Sequence, residues 1–350
     1  MNIFVLDDQF QAISIIDAYE SSIWTDRYAS YGDFEIYAPF SLDLLQKVKQ
    51  DYYLSTLESE HTMIIEGIEI SSDAEAGNKL RITGRSLESI LDRRIIWNQT
   101  SYTGNLQNAI HNMLNACIIN PSISARRISN FVFEASTDPR ITALTIEEEH
   151  TGDNLYDVIT ELCAINYIGY KVTLNQNNQF VFKLYMGEDR SYDQIANPYV
   201  VFSPNYENII NSNYVDSTEI MKNVTLVAGE DSGQQRRTLV VGSGTGLTRR
   251  ELYTDARDIQ SEKVTNYNEA LRQRGLKNLV ENSRTVSFEG EVEATRMFVY
   301  GEDFFMGDIV QISNEYGIEG AARVMEFVRS DDANGTKQYP TFEAIQDIEG

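Results

Sequence analysis

The sequence predicts a β-rich α+β protein in which two β-rich segments flank an inserted unit of helices and a hairpin. Its 350 residues include 20 Tyr and 15 Phe against 6 Pro, and aromatic side chains fit the half-buried surface of a sheet. Strand-like alternation recurs early and late in the chain, whereas helical spacing dominates between them. At about 100–200 residues per domain, the length predicts two or three domains. We place them at 1–97, 98–194 and 195–350.

The first segment is predicted to consist mostly of strands. The clearest of them carries Phe34, Ile36 and Ala38 on one face, because alternate side chains of a strand point the same way. Ser41 is a capping residue before a short helix, and residues 84–86 are expected to start a second helix. The predicted strands, the first two forming a hairpin, cover residues 4–6, 12–16, 22–28, 32–39, 52–57, 63–70 and 80–83.

The inserted unit is predicted to hold two amphipathic helices and a hairpin. Apolar residues recur at helical spacing in two stretches, which begin at Leu106 and Leu155. Each helix carries one cysteine, Cys117 or Cys163, on its apolar stripe, so we expect both thiols to be packed in a core. The predicted hairpin strands follow the second helix and cover residues 170–174 and 180–184.

The last segment returns to strands and contains one helix. That helix is predicted over residues 266–282, with an interruption at Gly275, because glycine destabilises the interior of a helix. The predicted strands cover residues 199–202, 224–228, 238–241, 285–288, 309–312, 322–328 and 342–345.

The charge of the chain is strongly negative. Its 29 Lys and Arg against 53 Asp and Glu give a formal net charge of -24. Such a field repels phosphate and therefore disfavours specific binding of DNA or RNA. Two interpretations remain: the charge keeps the protein soluble, or it forms a surface over which a polyanion slides without binding.

The sequence also bears on the compartment in which the protein folds. Its first residues have neither a basic region nor a long apolar run, so no secretory signal peptide is expected. No stretch approaches the roughly 20 apolar residues of a membrane span. The two cysteines do not suggest a disulfide framework. We therefore expect folding in a reducing cytoplasm.

No motif in the chain points to catalysis, a cofactor or a metal. The Gly-rich stretch 242–246 lacks the spacing of a dinucleotide fingerprint and has no Gly-Lys-Ser/Thr. Residues 330–335 resemble a calcium loop only in part, because the twelfth position is Thr341 rather than Glu, and we predict a turn there. We assign no catalytic, cofactor-binding or metal-binding residue.

Histidines and paired arginines are the remaining candidates for chemistry. None of His61, His111 and His150 has a second histidine or cysteine at metal-binding spacing. His111 is expected on the polar face of its helix, and His150 after a solvated run of three glutamates. The arginine pairs at 236–237 and 249–250 favour ion pairs within or between subunits over a nucleic-acid patch, because arginine forks suit carboxylates.

Four ordered stretches carry a family resemblance that spans most of the chain. They are residues 23–28 with 32–37, residues 84–87 with 95–97, residues 249–259, and Gly307-Asp308 through Pro340-Thr341-Phe342. Together they resemble the siphophage tail protein family typified by the ReqiPepy Gp37-like protein. The wider relatives are baseplate hub proteins and the N-terminal parts of tail-associated lysins.

The resemblance implies a structural role in a tail or a related injection particle. Hub proteins of this type are homotrimers. Each subunit carries two tail-tube-like β-barrel or sandwich domains, so three subunits present a pseudo-sixfold ring. The resemblance therefore implies that residues 1–97 and 195–345 supply the ring domains around an inserted α+β domain, and that no cofactor is needed.

The resemblance also implies partners and a location. The expected partners are the distal tail protein or tail tube protein, the tape-measure protein, and tip or receptor-binding proteins. DNA would pass through the lumen without specific binding during ejection. The expected location is the tail tip, or baseplate, of the virion, after assembly in the bacterial host cytoplasm.

Two other functions stay open at this stage. A carbohydrate-binding tail-tip or adhesin module would need a concave site lined by exposed aromatic side chains. A cell-wall hydrolase of the tail-associated lysin type would need a pair of essential carboxylates. Many relatives carry a C-terminal peptidase or hydrolase, whereas this chain stops at Gly350, so we expect no lytic activity.

Overall fold

The computed structural model describes residues 1–73, 77–231, 236–292, 297–313 and 319–345. The strands are β1 Ile3–Leu6, β2 Ala12–Ile16, β3 Ser21–Arg27, β4 Asp33–Pro39, β5 Tyr53–Ser55, β6 Met63–Asp73, β7 Gly77–Ser86, β8 Thr100–Asn105, β9 Phe131–Glu134, β10 Thr145–His150, β11 Gly169–Leu174, β12 Phe180–Tyr185, β13 Asp189–Arg190, β14 Val201–Phe202, β15 Ile209–Ser217, β16 Val224–Ala228, β17 Thr238–Gly242, β18 Glu251–Asp255, β19 Thr285–Val292, β20 Ile309–Ser313, β21 Glu319–Asp332 and β22 Gly335–Ala344. The α-helices are α1 Leu42–Lys47, α2 Leu106–Leu114, α3 Pro139–Thr142, α4 Leu155–Ile165 and α5 Tyr267–Glu281.

Most strands join one large sheet. Its hydrogen-bonded order is β15-β19-β22-β21-β3-β4-β7-β6-β5-β1-β2, with β20 on the side of β21 and with β13 and β14 on β20. Strands from the two ends of the chain meet where β21 pairs antiparallel with β3. Along the described residues this sheet stays open, because its outermost strands do not pair with each other. The predicted barrel form and the predicted domain boundaries therefore stay predictions.

Eight strands of this sheet form two copies of one arrangement. The first quartet is β3-β4-β7-β6, and the second quartet is β15-β19-β22-β21. In each quartet, the four strands taken in chain order lie at the first, second, fourth and third positions across the sheet. Every pair of neighbouring strands is antiparallel. The two β-rich ends of the chain thus share one topology.

The repeat extends to irregular features of the backbone. A bulge interrupts β6 after Ile65 and β21 after Val324. Asp51 precedes β5, which pairs with β6, and Gly307 precedes β20, which pairs with β21. Both residues have positive φ, 63° and 86°. Their N–H groups donate to the carbonyls of Ile65 and Val324, each at 2.9 Å. In return, the N–H groups of Ile65 and Val324 donate to the carbonyls of the residues after Asp51 and Gly307, which are Tyr52 at 2.8 Å and Asp308 at 2.9 Å. Shared bulges of this kind are built features rather than defects.

Each quartet covers its own apolar core. Trp24, Phe34 and Ile65 belong to the core beneath the first quartet. Phe288 and Phe342 belong to the core beneath the second. One face of each quartet is therefore fixed by burial, and the strand register follows from it, because a slip by one residue would turn the buried set outward.

The inserted region forms a third core. It is built from α2, α4 and the hairpin of β11 and β12, as the helical spacing predicted. Cys117 and Cys163 are buried free thiols, which confirms their assignment to a packed core. Burial raises the pKa of both thiols, which disfavours the reactive thiolate at neutral pH.

In the sequence, a small unit of one sheet and one helix is inserted between β15 and β19, the first two strands of the second quartet. Its sheet has the order β17-β16-β18, and α5 packs on it. The predicted helix over 266–282 is confirmed, with Asn266 as its N-cap. Gly275 does not interrupt this helix. A Cβ at Gly275 would meet Val227 at 2.7 Å and Val241 at 2.9 Å, so the glycine lets the helix approach the sheet closely.

Two further expectations from the sequence need correction. The second helix of the first segment is present, but it is a 3₁₀ helix at Leu87–Arg93, and residues 84–86 end β7 instead of starting the helix. The three glutamates before His150 are not a solvated run. They lie in β10, which pairs with β8, and both Glu149 and His150 are only 6% exposed.

Candidate assembly interface

The contact between the two quartets inside one chain establishes how their edge strands combine. The second half of β21 pairs with β3 over seven residues, from Glu326 opposite Arg27 to Asp332 opposite Ser21. The first half of β21 pairs with β20 on the same side. Between these two regions the N–H of Tyr28 donates to the carbonyl of the bulge residue Met325 at 2.9 Å.

A buried ion pair fixes this junction. A carboxylate oxygen of Asp26 on β3 lies 2.8 Å from the Arg329 guanidinium on β21, and the two side chains are 2% and 6% exposed. The Ser59 hydroxyl lies 2.8 and 3.0 Å from the two Asp26 oxygens. The guanidinium also lies over the rings of Phe327 and Tyr300, at 4.8 and 5.2 Å. Asp26 and Arg329 therefore depend on each other, because either charge alone would be costly to bury.

A second buried pair ties the first quartet to the inserted region. His61 Nδ1 lies 3.1 Å from a Glu88 oxygen, and both side chains are almost fully buried. The same oxygen accepts the Val172 N–H at 2.7 Å. Burial by itself lowers the pKa of His61, but the carboxylates of Glu88 and Asp26 outweigh it and raise that pKa to about 9. His61 is therefore positively charged at neutral pH, where it balances Glu88.

Two strand edges remain open on the outer sides of the quartets. Within the described residues, β15 pairs only with β19, and Val215 on it is 37% exposed. β5 pairs with Met63 and Ile64 at the start of β6, and the two residues before β5 bond to Ile65. The second half of β6, residues 67–73, pairs only with β7 in the described chain, and Ile70 there is 47% exposed. Edges of this kind offer backbone N–H and C=O groups to a further strand.

The hydrogen-bonded registers align the two quartets residue by residue. Phe34 lies opposite Trp24, and Phe288 lies opposite Tyr214. The bulges align β6 with β21 in the same way. The resulting correspondences are Trp24 with Tyr214, Asp26 with Asp216, Ile68 with Phe327, Ile70 with Arg329, and Ser71 with Ser330.

The face of the first quartet that points away from its core is polar, and its charges are paired. Each Lys and Arg on the described strands of this quartet is held by at least one carboxylate. The pairs are Arg27–Asp33 (2.6 Å), Arg27–Glu326 (2.6 Å), Arg81–Glu35 (2.5 Å), Arg85–Glu66 (2.7 Å), Arg85–Asp92 (2.9 Å) and Lys79–Glu20. Arginines engaged in this way are not free to hold phosphate.

The histidines that the sequence raised as candidates are not brought together as a metal site. His111 is exposed on its helix and stacks on Phe133, with ring centroids 4.6 Å apart. His150 lies between Glu148 at 2.8 Å and Asp153 at 3.0 Å. In the described parts of the chain, no group of three or more His, Cys, Asp or Glu side chains could hold a metal ion.

The other sequence candidates have structural roles. Arg236, Arg237 and Arg249 form ion pairs with carboxylates of the same chain, as the sequence favoured. Arg250 instead donates to the backbone carbonyl of Thr218. Residues 330–335 lie at the hairpin between β21 and β22, which confirms the predicted turn. No helix among the described residues is long and apolar enough to cross a membrane.

The Asp26–Arg329 pair was not predicted from the sequence, although half of its signal was present. Asp26 shares a strand face with Trp24, because alternate residues of a strand point the same way. An acid on an apolar strand face predicts a buried partner. Nothing local identifies Arg329, which is 303 positions away along the chain.

Comparison with known proteins places the chain among tail proteins. The family model described as Siphovirus ReqiPepy6 Gp37-like protein matches residues 2–342. No curated protein matches the chain by sequence.

Solved structures of tail proteins share the fold. The tail protein from Neisseria meningitidis MC58 has a TM-score of 0.63 and 15% identity, over 99% of this chain and 96% of that chain. The prophage MuSo2 43 kDa tail protein from Shewanella oneidensis has a TM-score of 0.63 and 12% identity, over 98% of each chain. The prophage tail protein gp18 from Listeria monocytogenes EGD-e has a TM-score of 0.59 and 12% identity, over 99% and 95%.

Proposed function

Because the chain belongs to the Siphovirus ReqiPepy6 Gp37-like family of phage tail proteins, we propose that it is a baseplate hub protein. In this proposal three copies form a ring that joins the tail tube or distal tail protein to the tip. The ring surrounds the channel through which the tape-measure protein and DNA leave. The role is structural, and it assigns no catalytic residue.

The observation that carries the proposal is the internal repeat. Each chain holds two quartets of the same topology, joined edge to edge through β21 and β3. A ring of three chains would therefore present six similar quartets. A trimer could then meet a sixfold tube with matching surfaces, although it has only threefold symmetry.

The polar face of the first quartet suits the inner wall of such a ring. Its arginines and lysine are already neutralised by carboxylates, and the chain as a whole has a net charge of -24. DNA would therefore find no free cation there to hold it, since phosphate contacts dominate the affinity of proteins for DNA. A ring in which this face lies outside would contradict this part of the proposal.

The proposed location is the tail tip of the virion, with assembly in the cytoplasm of the bacterial host. The proposed neighbours are the tube or distal tail protein on one side of the ring and tip or receptor-binding proteins on the other. The fold that this chain shares with tail proteins over nearly its whole length supports that placement.

The mass of the purified protein tests the ring. Light scattering behind a sizing column is expected to give about 119 kDa, three times the 39.8 kDa of one chain. Ile70→Lys would place a charge on the open edge of β6, where the side chain is 47% exposed in one copy. That variant is expected to stay folded and to shift toward 39.8 kDa.

Leu57→Lys is the matched control, because Leu57 is 85% exposed and lies outside β6 and β15. It is expected to keep the mass of the parent protein. Circular dichroism on all three proteins separates loss of assembly from loss of folding. A parent protein that stays at the mass of one chain across concentrations would contradict the ring.

A further inference from the structure

We propose that the second half of β6 in one copy pairs antiparallel with β15 of the next copy, in a defined register. Ile70 of one chain then lies opposite Tyr214 of the other, and Ser71 lies opposite Asn213. This inference rests on the proposed ring and names the strands and residues that close it.

The junction inside the chain is the template. There the second half of β21, the fourth strand of its quartet, pairs with β3, the first strand of the other quartet. The strands that correspond to these two on the outer sides of the sheet are β6 and β15. Both strands have an open edge in the described chain. In a single copy, therefore, neither edge has a partner strand of the kind that β21 and β3 provide for each other.

The register follows from the correspondences between the quartets. In the junction Arg329 lies opposite Trp24, and Ser330 lies opposite Ile23. Ile70 and Ser71 take the places of the two β21 residues. Tyr214 and Asn213 correspond to Trp24 and Ile23. They pair with β19 in the same register in which Trp24 and Ile23 pair with β4.

The chemistry of the two edges fits this pairing. Ile70 and Val215 are 47% and 37% exposed in one copy, and a paired strand would cover them. The positions that hold Asp26 and Arg329 in the junction are occupied by Asp216 and Ile70 in the contact between copies. Asp216 needs no arginine from the neighbour, because it already pairs with Arg284 of its own chain.

The bulge supplies one more expected contact. In the junction the carbonyl of the bulge residue Met325 accepts the N–H of Tyr28 at 2.9 Å. The corresponding residues on the open edges are Glu66 and Thr218. The pairing therefore predicts a hydrogen bond from the Thr218 N–H of one copy to the Glu66 carbonyl of the next, in place of the 3.3 Å contact that this carbonyl makes with Gln50 Nε2 in one copy.

The partner is a second copy of this chain rather than an unrelated strand. Each chain carries both complementary edges, at different places along one sheet. The contact is therefore head-to-tail, and a head-to-tail contact that repeats with a closing rotation generates a ring. Two copies that meet at a single edge across a twofold axis would instead place β6 against β6 or β15 against β15.

Disulfide cross-linking tests the register. Residues directly opposite in an antiparallel pair are about 4.5–5.5 Å apart at Cα, within the range of a disulfide. The variant with Ser71→Cys and Asn213→Cys is expected to form covalent trimers with copper phenanthroline, seen on a non-reducing gel. Cys117 and Cys163 are buried, so the unsubstituted protein serves as the blank.

Two controls define the geometry. Ser71→Cys with Ser217→Cys moves one cysteine by four residues, about 14 Å along the strand, and is expected to give no cross-link. Ser71→Cys alone and Asn213→Cys alone are expected to give none either, whereas a mixture of the two is expected to give a covalent dimer. A twofold contact would cross-link a single variant and would overturn the inference.

Light scattering on the same variants under reducing conditions separates a wrong register from the absence of a ring. A trimer that does not cross-link through Ser71→Cys and Asn213→Cys would overturn the register and leave the ring intact. Protein at the mass of one chain would overturn the ring itself, and the register with it.

Discussion

Arg329→Met is expected to lower the free energy of unfolding by about 3–5 kcal/mol, because it leaves a buried charge without its partner. The Asp26 side chain is only 2% exposed and lies 2.8 Å from the guanidinium. Methionine can fill part of the space against Phe327 and Tyr300, but it cannot neutralise the carboxylate. Urea unfolding at a fixed protein concentration, followed by tryptophan fluorescence, measures the loss.

An exposed ion pair provides the matched control. Arg272 pairs with Glu269 on the surface of α5, with side chains 47% and 34% exposed. Arg272→Met is expected to change the free energy of unfolding by less than about 1 kcal/mol. Asp26→Asn in the Arg329→Met background is expected to recover part of the loss, because it removes the unpaired charge. Equal effects of Arg329→Met and Arg272→Met would contradict the role given to the buried pair.

Phe342→Ala is expected to destabilise the second quartet by about 3–5 kcal/mol, the usual range for a buried phenylalanine. Phe342 is fully buried. Its ring centroid lies 5.1 Å from that of Phe202 and 6.4 Å from that of Phe288, so truncation opens a cavity under the central strands. Because the proposed ring needs both quartets, the same variant is expected to lose the trimer before it loses all structure.

Leu247→Ala is the control for this substitution, because Leu247 is fully exposed. It is expected to change the free energy of unfolding by no more than about 0.5 kcal/mol. Urea unfolding and light scattering on both variants give the two readouts. A Phe342→Ala protein as stable as the control would show that the second quartet does not depend on this core.

The strands that could be predicted from the sequence are those with one buried face. β4 alternates cleanly because Phe34, Ile36 and Ala38 cover the first core, and the two helices of the inserted region follow apolar stripes. In such elements burial alone sets the pattern. The sequence therefore predicted their type and their approximate bounds correctly.

The strands that escaped prediction are those whose order depends on pairing. β15 contains Asn213 and Asp216 and has one open edge, so its pattern lacks clear alternation. β10 contains three consecutive glutamates, and only its pairing with β8 explains why Glu149 is buried. Pairing partners far away in the chain leave no local trace.

The family resemblance implied two similar ring domains, but no residue pattern in the sequence showed the repeat, for a related reason. Corresponding positions share a topology and a register but rarely a residue, as Trp24 with Tyr214 and Ile70 with Arg329 illustrate. The second quartet is also divided by the unit that contains α5. Only the hydrogen-bonded registers bring the two quartets into alignment, and the open edges become visible with them.

A reconstruction of the purified protein by electron cryomicroscopy tests the central claim most directly. We expect a closed ring of three chains with six similar quartets around an open channel. The polar face of the first quartet should line that channel, and β6 of each copy should lie against β15 of the next. Separate single chains, or a twofold dimer in which like edges meet, would contradict the account.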